Sequence, residues 1–94
     1  MAATIDEITI HYEENGEVLV KELKKEVLSR GAWTTILFLY EEFDRRKKTF
    51  GAPKVAIRRY RKRNGQYQQQ SKFTISSPEQ GRKVARLLLE WFPE

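Results

Sequence analysis

KVAIRRYRKRNGQYQQQSKFTI, residues 54 to 75, is two alternating runs around Asn64-Gly65, and how those runs pair decides the fold. Asn-Gly between alternating runs signals a tight hairpin turn, because its residues need positive φ and these two reach it at least cost. A two-residue turn would set Ile57 opposite Lys72 and Arg58 opposite Ser71, mixing apolar and polar side chains on both faces. One extra residue in the loop, with Gly65 in the left-handed conformation, restores the parity. Val55, Ile57, Phe73 and Ile75 then share an apolar face. The other face shows Ala56, Arg58, Tyr60, Lys62, Gln68, Gln70 and Lys72, while Arg59 and Arg61 follow Val55 and Ile57.

Upstream, Trp33 to Phe43 is rich in aromatic and β-branched residues on both parities, as expected of a central strand covered on both faces. Trp33, Leu37, Leu39 and Phe43 fall on one face, and Ile36, Phe38 and Tyr40 on the other. A helix, a second subunit or a flat ligand is expected over the second face. Residues 44 to 53 read as a basic loop with Gly51 and Pro53. Residues 4 to 14 alternate and meet Asn15-Gly16, which predicts a strand and a turn pairing Tyr12 with Leu19 and Ile8 with Leu23. Val18 to Leu28 reads two ways: Leu19, Leu23 and Val27 recur every four residues as in a helix, whereas Val18, Leu19 and Val20 favour a strand. Downstream, Ser77 is placed as an N-cap, Pro78 at the first helical position and Gln80 where a capping box puts it. A helix over residues 77–92 follows, with Val84, Leu87, Leu88 and Trp91 as its core stripe and Leu89 and Phe92 widening it.

Charge is unevenly placed along the 94 residues, whose net charge is +5. Residues 1 to 30 hold four Lys or Arg against seven Asp or Glu, while residues 45 to 63 hold ten bases and no acid. Arg45, Arg46, Lys47, Lys48, Lys54, Arg58, Arg59, Arg61, Lys62, Arg63 and Lys72, with Tyr60 and Tyr67 among them, suit a polyanion. A chain this short has a modest core, so dimerisation would help bury its apolar surface. The lack of cysteine excludes disulfides, thiolate metal sites and a cysteine nucleophile, and fits an intracellular protein. The N-terminus has no basic region followed by an apolar run, and no apolar run is long enough to span a bilayer. A cytoplasmic location is expected, with nucleoid association compatible.

No catalytic constellation can be assembled. His11 has no second ligand at metal spacing, and Glu41, Glu42 and Asp44 alternate between faces rather than converging on ions. The five glycines are scattered singly, so no loop cradles phosphate. Neither an enzyme nor a cofactor or metal is expected.

Gly31-Ala32-Trp33-Thr34, the apolar strand after it, Lys54-Val55-Ala56-Ile57-Arg58-Arg59-Tyr60, a Gly-containing turn, Lys72 and the C-terminal helix together resemble the positive cofactor four family of transcriptional coactivators, in its bacterial branch. The likeness covers roughly residues 18 to 92. It implies a twisted antiparallel sheet of four to five strands followed by one helix, an α+β homodimer that binds single-stranded DNA through basic and aromatic residues of the curved sheet. This chain departs from the pattern in Phe73, where a Gly is common, in its longer basic loop and in its extra N-terminal segment. The expected organisation is one domain, 1–94: an N-terminal strand extension at 4–14, the sheet at 18–76 and the helix.

The expected function is binding of single-stranded nucleic acid with little sequence preference, with RNA as an alternative to DNA and no membrane or small-molecule partner. Arg58, Tyr60, Lys62, Gln68, Gln70 and Lys72 form the expected face, with cations on phosphates and the ring under a base. Arg45, Arg46, Lys47 and Lys48 are candidate loop contacts to phosphate, and Phe38, Tyr40 and Tyr67 candidate stacking residues. For Phe38 and Tyr40 the competing reading is core or dimer interface, and Trp33 and Trp91 read as core anchors. Tyr60→Ala is expected to weaken single-strand binding and leave the fold intact. Two other readings stay open: a basic hairpin that docks an acidic protein, and a two-stranded ribbon that reads duplex.

Overall fold

The computed structural model describes residues 2–94, and its fold is α+β: a curled antiparallel sheet followed by one C-terminal helix. The elements are β1 (Tyr12–Glu14), β2 (Glu17–Ser29), β3 (Trp33–Asp44), β4 (Thr49–Phe50), β5 (Lys54–Arg63), β6 (Gln66–Ile75) and α1 (Pro78–Trp91). Strands run β1-β2-β3-β5-β6 across the sheet, and β4 pairs with the end of β3. Asn15 and Gly16 have φ of 52° and 80°, and Asn64 and Gly65 have 50° and 76°. Both are therefore two-residue turns with positive φ at each position, as Asn-Gly dictates.

The β5–β6 turn closes with Arg63 opposite Gln66, so the extra residue is absent from the loop. It lies inside β6 instead: Tyr60 pairs with Gln69 and Arg59 with Ser71, leaving Gln70 as a bulge. Beyond it Ile57 faces Phe73 and Val55 faces Ile75, the parity that the apolar residues demand. The turn keeps its preferred length, and the polar Gln68–Gln70 run absorbs the correction because none of its side chains must face the core.

Residues 17–29 are strand throughout. The β2–β3 register breaks at Leu23 and Leu28, and the break at Leu23 shifts parity and lets Val20 and Val27, an odd number apart, pack on the same core. The N-terminal reading needs correction. Ile5–Glu7 form a 3-10 turn, and only Tyr12–Glu14 are strand. Tyr12 pairs with Val20 rather than Leu19, because the register shifts between Tyr12 and Glu13.

What remains of that segment crosses one face of the sheet. Ile8 and Ile10 are buried on Ile36, Phe38, Tyr40, Ala56, Tyr60 and Tyr67. The chain's own N-terminus thus covers the second face of β3, in place of the helix, subunit or ligand expected there. The opposite face, with Trp33, Thr35, Leu37, Leu39, Val55, Ile57, Arg59 and Arg61, is open. Ser77 Oγ accepts a hydrogen bond from the Gln80 amide at 3.1 Å and caps α1. The helix leans on β6, with Gly81 near Ile75. Val84 and Leu87 are half-buried, whereas Leu88, Leu89, Trp91 and Phe92 are exposed, so half of the expected core stripe is left uncovered by the described residues. The helix is neither long nor apolar enough to cross a membrane.

Candidate nucleic-acid interface

β5 runs antiparallel to β3 without a break, which sets Trp33 opposite Arg61 and Thr35 opposite Arg59. All four side chains project from the open face. The Arg59 guanidinium lies 4.6 Å and that of Arg61 5.3 Å from the Trp33 ring centroid. A planar cation on an indole is held by the ring quadrupole and keeps its N–H groups free for an acceptor. Trp33 remains 41% exposed, which corrects its reading as a core anchor; Trp91, 65% exposed, is corrected likewise. Gln68 pairs opposite Arg61 and adds an amide to this group.

The residues expected to share one face are divided by the bulge. Arg58 and Lys72 face each other, as expected, but Gln68 turns to the Arg61 side and Gln70 sits in the bulge itself, its Nε2 donating to the Gln68 carbonyl at 3.3 Å. Lys62 is exposed, with Nζ 5.5 Å from the Tyr67 ring centroid. Tyr60 is only 6% exposed, and Phe38, Tyr40 and Tyr67 are also buried. In this arrangement these rings are core beneath the N-terminal segment rather than open stacking platforms. Tyr67 Oη donates to the Gly31 carbonyl at 3.3 Å. Tyr60 Oη and Arg58 Nε are buried without a hydrogen-bond partner among the described residues, at a cost of about 1–3 kcal/mol for each unpaired group.

Arg45, Arg46, Lys47 and Lys48 are exposed in the β3–β4 turn, where Asp44 Oδ1 accepts from the amides of Arg46 and Lys47 at 2.9 and 3.2 Å. They lie at the far end of β3 from Trp33. Twelve strand residues span roughly 36 Å at the usual rise, so this loop and the Arg59–Arg61 group do not form one site. Arg45 is 3.4 Å from Glu14. Lys54 Nζ donates to Glu42 Oε1 at 2.9 Å, and that hydrogen bond, followed by the carboxylate charge, raises the Lys54 pKa. Lys54 thus stays charged but is paired with a carboxylate, which leaves the unpaired positive charge in two groups, the β3–β4 turn and the end of β5 near the β5–β6 turn.

Trp33, Arg59 and Arg61 were missing from the sequence-based site. Alternation within one hairpin separates Arg59 and Arg61 from Tyr60, but only the β3–β5 pairing brings Trp33 beneath them. No protein-family model, curated protein or solved structure matches this chain.

Proposed function

We propose that this protein binds single-stranded nucleic acid with little sequence preference, and that it does so as a homodimer. The observation that carries the reading is the half-exposed Trp33 with the Arg59 and Arg61 guanidiniums beside it on an open sheet face. The arginines supply cations for phosphates, and the indole, from which they can swing aside, supplies a stacking surface for an unpaired base. Cations on phosphates and a ring under a base act alike on every base, so little sequence preference is expected. A role as a transcriptional cofactor follows from the sequence resemblance. The partner in the dimer is a second copy, because one chain leaves Leu37, Leu39 and Val55 of the open face only half-buried and Phe73 and the outer stripe of α1 exposed.

Titration of labelled single-stranded and duplex oligonucleotides at two salt concentrations tests the reading. Single strands should bind more tightly, with quenching of tryptophan fluorescence and a log–log salt slope of about −0.7 for each phosphate neutralised. Arg59→Ala combined with Arg61→Ala should flatten that slope by about 1.4. Equal affinity for single strand and duplex would remove the single-strand preference. No binding at physiological salt would sink the proposal and leave the acidic-protein partner as the better account.

A further inference from the structure

The segment crossing the covered face is held in an unusual way. Ala2 accepts one backbone hydrogen bond, from the outward-pointing Tyr67 amide at 2.8 Å. From there to β1 it is fastened by side chains of β2: Lys25 Nζ donates to the carbonyls of Ile5 at 2.7 Å and Ile8 at 2.6 Å, and Glu22 Oε1 accepts from Thr9 Oγ1 at 2.7 Å and from the Ile10 amide at 3.4 Å. Ile8 and Ile10 supply the apolar contact, 4% and 5% exposed. A segment fastened in this way opens more readily than a laddered strand.

What it hides has the chemistry of the open site. Phe38, Tyr40, Tyr60 and Tyr67 lie beneath it, with Arg58 and Lys25 on the same face. Arg58 Nε and Tyr60 Oη are buried and unpartnered; Arg58 Nε can only donate, and the phenol donates readily. Lys25 is occupied by carbonyl oxygens, acceptors that stand where phosphate oxygens would serve as well. Asp6 and Glu7 put negative charge on the covering segment itself. Two donors of this face, Arg58 Nε and Tyr60 Oη, thus lack acceptors among the described residues while it is covered.

We infer that residues 2–11 are a competitive strap over a second, aromatic single-strand site, and that the strap lifts when nucleic acid takes its place. Bases stack on the released rings, while phosphates take Lys25 and the Arg58 guanidinium. This inference rests on the single-strand reading above. The strap lowers apparent affinity by the fraction of time that the face is open.

The test uses the full chain, with oligothymidylate as the probe. Ile8→Ser combined with Ile10→Ser weakens the strap without touching either cationic group. With the exposed site disabled by Arg59→Ala and Arg61→Ala, this pair should tighten binding about tenfold, the gain expected if the face is open about a tenth of the time. Lys25→Met added to that background should abolish the gain. In the unsubstituted chain, saturating oligonucleotide should speed hydrogen exchange of the Tyr67 amide, whose partner is Ala2. A strap-weakened chain that stays folded by circular dichroism and gains no affinity overturns the inference. So does a Tyr67 amide that stays protected at saturation, and this readout decides alone if the serine variant does not fold. Salt-sensitive binding that depends on Arg59 and Arg61 alone leaves the proposed function standing and removes only the strap site, whereas no binding by any variant removes both.

Discussion

Tyr60 shows how a residue's chemistry and its placement can point in different directions. Its neighbours Arg58, Arg59, Arg61 and Lys62 suggest an exposed ring among cations, yet β3 and the N-terminal isoleucines bury it in the main core cluster. Tyr60→Ala should therefore destabilise the fold by about 3–5 kcal/mol, as truncation of a large buried aromatic does. Tyr60→Phe should leave stability unchanged or raise it by up to about 1–3 kcal/mol, because the deleted hydroxyl is buried with no partner among the described residues. Urea denaturation of the two variants checks this, and a small loss for the alanine change would show that the ring is not packed. The expectation that Tyr60→Ala spares the fold is thus corrected. Its face was legible from alternation, but what lay on that face was not, since the cover comes from residues 8 and 10, fifty positions away in sequence.

At the scale of elements, the Asn15-Gly16 turn, the Ser77-capped helix and the central strand could be read directly, because each follows from local conformational preference or from a long run of one periodicity; at Asn64-Gly65 the place of the turn was legible but its length was not, since the expected extra loop residue lies in β6 instead. Two features could not. The Gln70 bulge lies in a run of glutamines, where neither face preference nor turn chemistry marks one position over another. In the N-terminal segment, alternation at Ile8, Ile10 and Tyr12 is the same whether the chain joins a sheet edge or lies across a sheet with its side chains pointing down. Deleting Gln70 should force the distal half of the hairpin into the register that mixes apolar and polar residues, costing about 2–3 kcal/mol as Ile75 loses burial. A compensating residue inserted at Asn64-Gly65 should recover part of that loss, because parity can be restored in the loop. Thermal melts of both variants decide; full stability of the deletion alone would show that the bulge does not set the register.

The whole molecule is flatter than a compact chain of its length. Its extents are 46 × 38 × 17 Å and its radius of gyration is 15.0 Å, against about 12 Å for a compact chain of this size. The helix touches the sheet chiefly at β6 and leaves Leu89, Trp91 and Phe92 exposed. Sedimentation at tens of micromolar should give twice the 11.2 kDa of one chain, and Leu89→Arg with Phe92→Arg should shift the species toward monomer. A single-chain mass for the unsubstituted protein at high concentration would remove the dimer. The bulge in β6 has one more consequence at this scale. β6 is the outermost strand beyond β5, and a straight rim of unpaired amides and carbonyls would invite further chains to add on without limit, as in fibril growth. The bulge at Gln70 and the charge of Lys72 interrupt that rim, so this edge of the sheet offers no continuous template for chain-on-chain growth.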